Sequence, residues 1–380
     1  MSNSLVDVLL PVFNAAQTLE NTLDSLLRQT IPNIRIIFID DGSTDCSLNI
    51  ATRYARIDRR IKVIAQSNRG IVDALNLGLK EGGAEFVARQ DADDISLPNR
   101  LELELDYLKQ HHDCIGISGA VEHIDGQGRP TGHVERFSSP DECDPFWAPS
   151  REPYLIHPFL MARRSEMVAI SGYRYVFHSE DTDLYWRLRE RGRLHNLSTV
   201  LGYYRMHANS ISSGSVVNGR IMALNSQLAA LSARRRRMGR ADIHFPKEAI
   251  SDYSKAGALS KIYELGVKQL DDEESRYLRI AISGKMLELS AYRPYEIEID
   301  DCRFIRKARG DFSVLSRKNC KQLDRMYAAA AVRLLQKRLY REAAALSPRS
   351  LYPSIVARLV AIGVLPNTVI QYISRLRALQ

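Results

Sequence analysis

The chain has 380 residues, 45% of them hydrophobic and 26% charged, with a formal net charge of +8. That is an ordinary globular composition, long enough for two domains and able to bury a sizeable core. The positive balance favours anionic partners such as phosphates, nucleic acid or an acidic membrane surface, without choosing among them. The five cysteines (Cys46, Cys114, Cys143, Cys302 and Cys320) are scattered, with no CxxC pair. Such a set argues for a reducing compartment and against a disulfide framework or a zinc site. No apolar run approaches the ~20 residues a spanning helix needs. The apolar start at residues 5–12 is too short for a signal peptide. The expectation is a cytoplasmic protein with, at most, peripheral contact at the inner face of a membrane.

In chain order, residues 6–12 (VDVLLPV) read as a buried strand, and Leu19, Leu23, Leu26 and Leu27 then recur at helical spacing. Residues 34–39 form a second β-branched strand running into Asp40-Asp41-Gly42. Ser43 or Thr44 is placed to cap a helix reaching about Ala55. Residues 61–65 read as a third strand, 73–80 as a third helix, and 86–88 as a short apolar lead into Asp91-Ala92-Asp93-Asp94. A further helix is expected from near Pro98. Repeated βαβ units predict an α/β fold, a mostly parallel Rossmann-like sheet flanked by helices. Ligands then bind beyond the carboxyl ends of the strands, where Pro11, Asp40 and Asp91 all fall. Residues 113–164 are more irregular, with 121–128 reading as a strand that closes on a turn. From about residue 215 onward the pattern is helical, strongest at 325–345. The expected division is a catalytic domain over 1–215 and a mainly helical region over 216–380.

The acidic turn carries the most chemistry. Asp91 and Asp93 are two apart, so in an extended segment they point to one side. Carboxylates that close repel unless a cation or proton neutralises them, and a hard ion such as Mg²⁺ or Mn²⁺ suits oxygen donors. A solvated turn capping the next helix is the competing reading. Pro11-Val12-Phe13-Asn14 supplies a rigid turn, an aromatic face and an amide for a nucleoside base, or else an ordinary strand-to-helix turn with Phe13 in the core. A carboxylate at Asp40 or Asp41 can accept from a uracil N–H or a ribose hydroxyl, although helix capping also suits this segment. Asn68 and Arg69 precede a helix N-terminus, where a diphosphate can be held. Glu180-Asp181 opens an amphipathic helix, where one carboxylate can serve as a general base or simply complement the helix dipole. His207 follows a short strand and can complete a metal site with Asp93, or be structural.

Taken together, these segments resemble the family 2 inverting glycosyltransferases of GT-A fold. The resemblance runs in order over residues 5–210: VDVLLPVFNAAQTLENTLDSLLRQT, IFIDDGSTDCS, NRGIVDALNLGL, ARQDADDISLPNRLE, SGYR, SEDTDLYWRL and YRMHANS. It implies a GT-A domain with a helical C-terminal extension and a nucleotide-diphospho-sugar donor, most often a UDP-sugar. It gives Pro11, Phe13, Asn14, Asp40 and Asp41 to the nucleoside. Asp91, with Ala92 in the same turn, goes to ribose, and Asp93 to the metal and diphosphate. It makes Asp181 the catalytic base and His207 a ligand to Mn²⁺ or Mg²⁺. Phe13 stands where the family often has Tyr. Arg89, His157, Arg174 and Glu180 are candidates for the sugar or acceptor site. No QxxRW-type segment of processive synthases is present, which favours one sugar per encounter. The expected acceptor is a glycan or lipid-linked glycan in surface polysaccharide assembly. A catalytically silent nucleotide-sugar-binding partner is the rival reading.

A sugar nucleotidyltransferase would want a Gly-rich, Lys/Arg-containing N-terminal loop, which is missing. GxGxxG and GxxxxGK[ST] are also absent. Nucleic-acid binding is not expected, because basic residues are interleaved with acids except at Arg234–Arg237. That basic run, and the acid-free segment 351–380, are the candidates for contact with acidic lipid.

Overall fold

The structure, a computed structural model, describes residues 4–206 and 215–379. The chain divides into two compact units, one comprising 1–143, 152–175 and 180–207, the other 144–151, 176–179 and 208–380.

The first unit is an α/β layer structure. Its elements run β1 (Val6–Val12), α1 (Leu19–Leu27), β2 (Ile34–Asp41), α2 (Ser47–Ile57), β3 (Ile61–Gln66), α3 (Ile71–Glu81), β4 (Phe86–Arg89), β5 (Ile95–Ser96), α4 (Arg100–Gln110), β6 (Cys114–Ile124), β7 (Pro130–Glu135), β8 (Met161–Arg163), α5 (Arg164–Ala169), α6 (Glu180–Arg189) and β9 (Arg193–Arg205). The strands form one sheet of order β3-β2-β1-β4-β8-β6-β9-β5, with β7 on the flank of β6. The β3-β2-β1-β4 half is parallel throughout, and β6 pairs parallel with β9. β8 runs antiparallel between β4 and β6.

Because strand side chains alternate, β1 serves two cores. Val6, Val8, Leu10 and Val12 pack with Leu19, Leu23 and Leu26 of α1 and with Leu101, Leu105 and Leu108 of α4. Leu9 points the other way, with Ile37 and Ile39, into a core with Val72, Leu75 and Leu79 of α3 and Leu184 and Leu188 of α6. Asp7 is the one carboxylate inside β1. It accepts from Arg35 Nε and Nη2 at 2.8 Å each, and from the Gly83 and Ala84 N–H groups at 2.7 and 2.8 Å. The base of the sheet is thereby tied to the α3–β4 turn.

Two local expectations are corrected. α2 starts at Ser47, and its N-cap, Cys46, makes no side-chain cap. Ser43 and Thr44 are instead engaged by Asn14, which holds them away from a helix start. The helix expected over 325–345 is broken, because Arg338 takes a left-handed φ of 62° between two shorter helices.

The second unit is helical: α7 (Val216–Arg237), α8 (Ala249–Lys255), α9 (Leu259–Gly266), α10 (Asp272–Tyr292), α11 (Ile299–Ala308), α12 (Arg317–Gln336), α13 (Tyr340–Leu346), α14 (Tyr352–Ala361) and α15 (Pro366–Ala378). Segment 144–151 is bound into it. Asn319 Nδ2 donates to the Ala148 carbonyl at 2.6 Å, and the Tyr277 hydroxyl donates to the Trp147 carbonyl at 2.6 Å. Asp271 and Glu274 form a capping box at the start of α10. Arg220 of α7 is buried on Asp301 at 2.7 Å.

Candidate active site

The carboxyl ends of β1, β2 and β4 carry the candidate residues, as the topology requires. At the end of β1, Pro11 is buried beside Ile39 of β2, and Asn14 takes a left-handed φ of 52°. Asn tolerates that conformation better than most residues. Asn14 Oδ1 accepts from the Thr44 and Asp45 N–H groups at 2.8 and 3.3 Å, and its own N–H donates to the Ser43 hydroxyl at 3.0 Å. Asn14 therefore clamps the β1 and β2 loops together. Phe13 is 51% exposed, so the core reading of this ring is overturned and its face is open to a planar partner.

The two aspartates after β2 do different things. Asp41 is fully engaged by the next loop: Oδ1 accepts from Gln66 Nε2 at 2.7 Å and the Arg69 N–H at 2.9 Å, and Oδ2 accepts from the Gly70 N–H at 2.8 Å. It positions Asn68 and Arg69, both exposed at the start of α3. Asp40 accepts from the Ser43 N–H at 3.2 Å through Oδ2, while its buried Oδ1 has no hydrogen-bond partner among the described residues. A buried acceptor left idle at a strand end is what a ligand N–H or hydroxyl would satisfy. Gly42 turns the chain directly after them at φ 77°, and a Cβ there would lie 2.6 Å from the Asn68 nitrogen.

The acidic segment after β4 is a turn rather than an extended strand, closed by the Asp94 N–H donating to the Asp91 carbonyl at 3.3 Å. That geometry brings in a third carboxylate. Ligand oxygens of Asp91, Asp93 and Asp94 all lie within 4.8 Å of one another. The turn is held from both sides. Thr18 and Thr22 of α1 donate to the Ala92 carbonyl at 2.9 and 3.0 Å. The Arg205 backbone N–H donates to Asp94 Oδ1 at 2.8 Å, and its guanidinium Nε donates to the Asp93 carbonyl at 2.7 Å. Beneath it, buried Arg100 donates to the Arg89 carbonyl at 2.7 Å and to Gln90 Oε1 at 2.8 Å.

Burial raises the pKa of Asp91, with Arg89 opposing and the Asp93 charge adding to the rise. Asp94 is pushed well up by burial, then by Asp93 and Asp91. Its Oδ2 is buried with no hydrogen-bond partner among the described residues. A crowded carboxylate trio with an idle buried oxygen fits a hard divalent cation. His207, the other expected ligand, lies outside the described residues.

A second group of residues completes the site. Arg89 Nη2 pairs with Asp91 Oδ1 at 2.6 Å. Burial works against the Arg89 charge, but the adjacent Asp91 carboxylate, before all else, more than restores it. Glu180 and Asp181 open α6. Burial first, and then the Asp181 charge, pushes Glu180 up to about 7. Asp181 is also raised by burial, against the pull of the Thr182 N–H and Arg89. Its Oδ1 accepts from that N–H at 2.7 Å, which fixes the carboxylate. Buried His157 is held far below its ordinary pKa by burial and by Arg89, hence neutral, and its Nε2 lies 3.0 Å from the Tyr173 hydroxyl.

The Arg174 guanidinium pairs with buried Asp183, with Nε at 3.0 Å from Oδ2, and Asp183 also takes Arg187 Nε at 2.8 Å. That triad braces the first turn of α6. Sequence reading missed Asp94 as a donor, Arg100 and Arg205 as braces, and Tyr173 as the partner of His157. The signal for Tyr173 was the SGYR segment: Asn76 of α3 donates to the Tyr173 carbonyl at 2.9 Å and accepts from its N–H at 2.8 Å.

This α/β sheet, with a carboxylate turn at the end of β4, has the GT-A arrangement. The chain belongs to glycosyl transferase family 2, whose model matches residues 7–202, and it is a glycosyltransferase. It is 30% identical over 223 residues to an uncharacterized glycosyltransferase of Haemophilus influenzae, covering 55% of this chain and 68% of that one. It is 28% identical over 212 residues to the amylovoran biosynthesis glycosyltransferase AmsE of Erwinia amylovora, covering 55% and 79%. Among solved structures, S. aureus TarS 1-349 in complex with UDP-GlcNAc is similar with a TM-score of 0.49 at 18% identity, over 85% of this chain and 91% of that chain.

Proposed function

We propose that this enzyme transfers a sugar from a nucleotide-diphospho-sugar, with UDP as the nucleotide, to a hydroxyl of a glycan or lipid-linked glycan in surface polysaccharide assembly, with inversion. The observation that carries the reading is the half-buried carboxylate of Asp181, fixed by the Thr182 N–H at 2.7 Å, in a site that also holds Arg89 and the Asp91–Asp94 turn. The similarity to the amylovoran biosynthesis glycosyltransferase AmsE supports the polysaccharide context.

Phe13 offers a stacking face to the base, and the idle Oδ1 of Asp40 accepts from the nucleoside. Asn68 and Arg69, set by Asp41, lie at the N-terminus of α3, where a diphosphate is favoured. Asp93 and Asp94, with Asp91 beside them, would hold Mn²⁺ or Mg²⁺, and such an ion offsets the charge of a departing diphosphate. Asp181 takes the proton of the acceptor hydroxyl as its oxygen bonds to the anomeric carbon. The bond from that carbon to the diphosphate oxygen breaks on the opposite face, and its electron pair leaves with the nucleoside diphosphate. One displacement inverts the anomeric centre, so no nucleophilic Ser or Cys is required.

The test is turnover of UDP-, GDP- and dTDP-sugars with glycan and lipid-linked acceptors, with Mn²⁺ or EDTA, for wild type and Asp181→Asn. Turnover of a UDP-sugar, lost with EDTA and in the variant, and an inverted product anomer by NMR are expected. Donor binding without turnover under every acceptor condition overturns the enzymatic reading in favour of a silent partner. A retained anomer overturns the single displacement.

A further inference from the structure

The two basic, acid-poor segments that suggested lipid contact part company in the structure. In α7, Arg234 pairs with Glu273 and lies 5.0 Å from the Tyr277 ring centroid, Arg235 pairs with Glu274 at 2.6 Å, and Arg236 pairs with Asp242 at 2.8 Å. That run serves the helical unit itself.

The α14–α15 hairpin is different. Its inner face is anchored, with Ile355, Leu359, Val369 and Leu376 buried. Its tip is Val360-Ala361-Ile362-Gly363-Val364-Leu365-Pro366, without a charged or hydrogen-bonding side chain. The exposures there are 58% for Val360, 53% for Ile362, 72% for Leu365 and 63% for Ile370 one turn into α15. The tip is built rather than loose. Gly363, at φ 77°, places its N–H on the Val360 carbonyl at 3.0 Å, and the Val364 N–H reaches the Leu359 carbonyl at 3.0 Å. This is a Schellman closure, which fixes how the apolar side chains are presented. The segment that forms it, residues 343–380, contains no Asp or Glu but carries Arg349, Arg358, Arg375 and Arg377; exposed Arg358 lies nearest the tip in the chain, and Arg375 rests over the Tyr340 ring at 4.4 Å.

We infer that the α14–α15 tip docks on the surface of a bilayer containing anionic phospholipid. Val360, Ile362, Leu365 and Ile370 enter the headgroup–acyl boundary, and the arginines meet the lipid phosphates. Charge complementarity selects this occupant. A hairpin segment with four arginines and no carboxylate side chain matches a negative lipid surface, whereas a second copy would set arginine against arginine. A rigid apolar tip carried on a basic segment supplies the two signals that stable peripheral binding needs.

The test is flotation of the full chain with vesicles of phosphatidylcholine alone or in equimolar mixture with phosphatidylglycerol. It compares wild type, Ile362→Glu with Leu365→Glu, and Arg358→Glu with Arg377→Glu. All four positions are exposed, and far-UV circular dichroism and the unfolding midpoint check that the variants stay folded. Wild type should float with the anionic vesicles only. The tip variant should lose more than about a hundredfold in partitioning, and the arginine variant at least about fivefold. The inference is overturned if wild type does not float, if both vesicle types serve equally, or if the tip variant floats like wild type. It is equally overturned if wild type forms a dimer that the tip variant abolishes while neither floats.

Discussion

Arg89 holds Asp91 at 2.6 Å through one nitrogen, while its buried Nε and Nη1 meet no hydrogen-bond partner among the described residues. A buried guanidinium with two idle donors is costly unless something accepts from it. Surrounded by Asp91, Glu180 and Asp181, it lowers their pKa values. Replacing Arg89 by Met should therefore shift the acid limb of kcat/KM to higher pH, by about one unit. Arg89→Lys should keep the limb in place while raising KM, because the charge stays but the fork does not. A pH–rate profile of the three proteins checks this; an unmoved limb in the Met variant removes Arg89 from the electrostatics of the site.

The Glu180–Asp181 pair should give kcat/KM two steps below neutral-to-basic pH. Each proton leaves the pair in turn, so the steps belong to the pair as a whole. The upper one lies near the value of about 7 to which burial and Asp181 raise Glu180. The first proton taken up by the pair lowers activity in part, and the second removes it, because no carboxylate is then left to accept the acceptor's proton. Glu180→Gln should replace the two steps by one, since a single carboxyl then titrates. Asp181→Asn should cut kcat by about 10²–10⁴-fold with donor binding preserved, as read by isothermal titration alongside turnover.

Asp7 should matter to stability and not to chemistry. Burial raises its pKa, but the Arg35 hydrogen bonds and the Ala84 and Gly83 N–H groups outweigh that and leave it lowered. A depressed carboxyl stabilises the fold above its unfolded pKa, and that stability is lost as pH falls through the folded value. Asp7→Asn should cost about 1–3 kcal/mol at neutral pH, since the amide nitrogen would face donors that the buried carboxylate satisfies, while partly exposed Arg35 turns to water. The gap from wild type should narrow progressively below about pH 4, where the unfolded carboxyl protonates. Urea denaturation at a series of pH values measures it.

Gly42→Ala should act on donor affinity. The left-handed conformation alone costs about 1–2 kcal/mol for a residue with a Cβ. The Cβ would also lie 2.6 Å from the Asn68 nitrogen, forcing apart the loops that carry Asp40 and Asn68. Donor Kd should rise about tenfold with kcat for bound substrate little changed. A change in kcat alone would place the turn outside the donor site.

The sequence by itself determined the strand–helix alternation. In β1 and β2, buried β-branched and leucine positions leave no other period, and strand ends follow wherever Asp, Gly or Asn interrupts them. The acidic turn, the Glu180-Asp181 step and the aspartates after β2 were legible for the same reason: charged residues beside buried strands demand an explanation. Their division of labour was not legible. Only the tertiary structure separates Asp40, left with an idle oxygen, from Asp41, saturated by Gln66, Arg69 and Gly70. Only it draws Asp94 into the carboxylate trio and pairs Arg174 with Asp183. It also decides that the Arg234–Arg236 run is internally paired while the α14–α15 tip stays uncovered. The physical reason is common to all of these. A polar side chain's role depends on which partners remain to satisfy it, and those partners come from segments far apart in the chain.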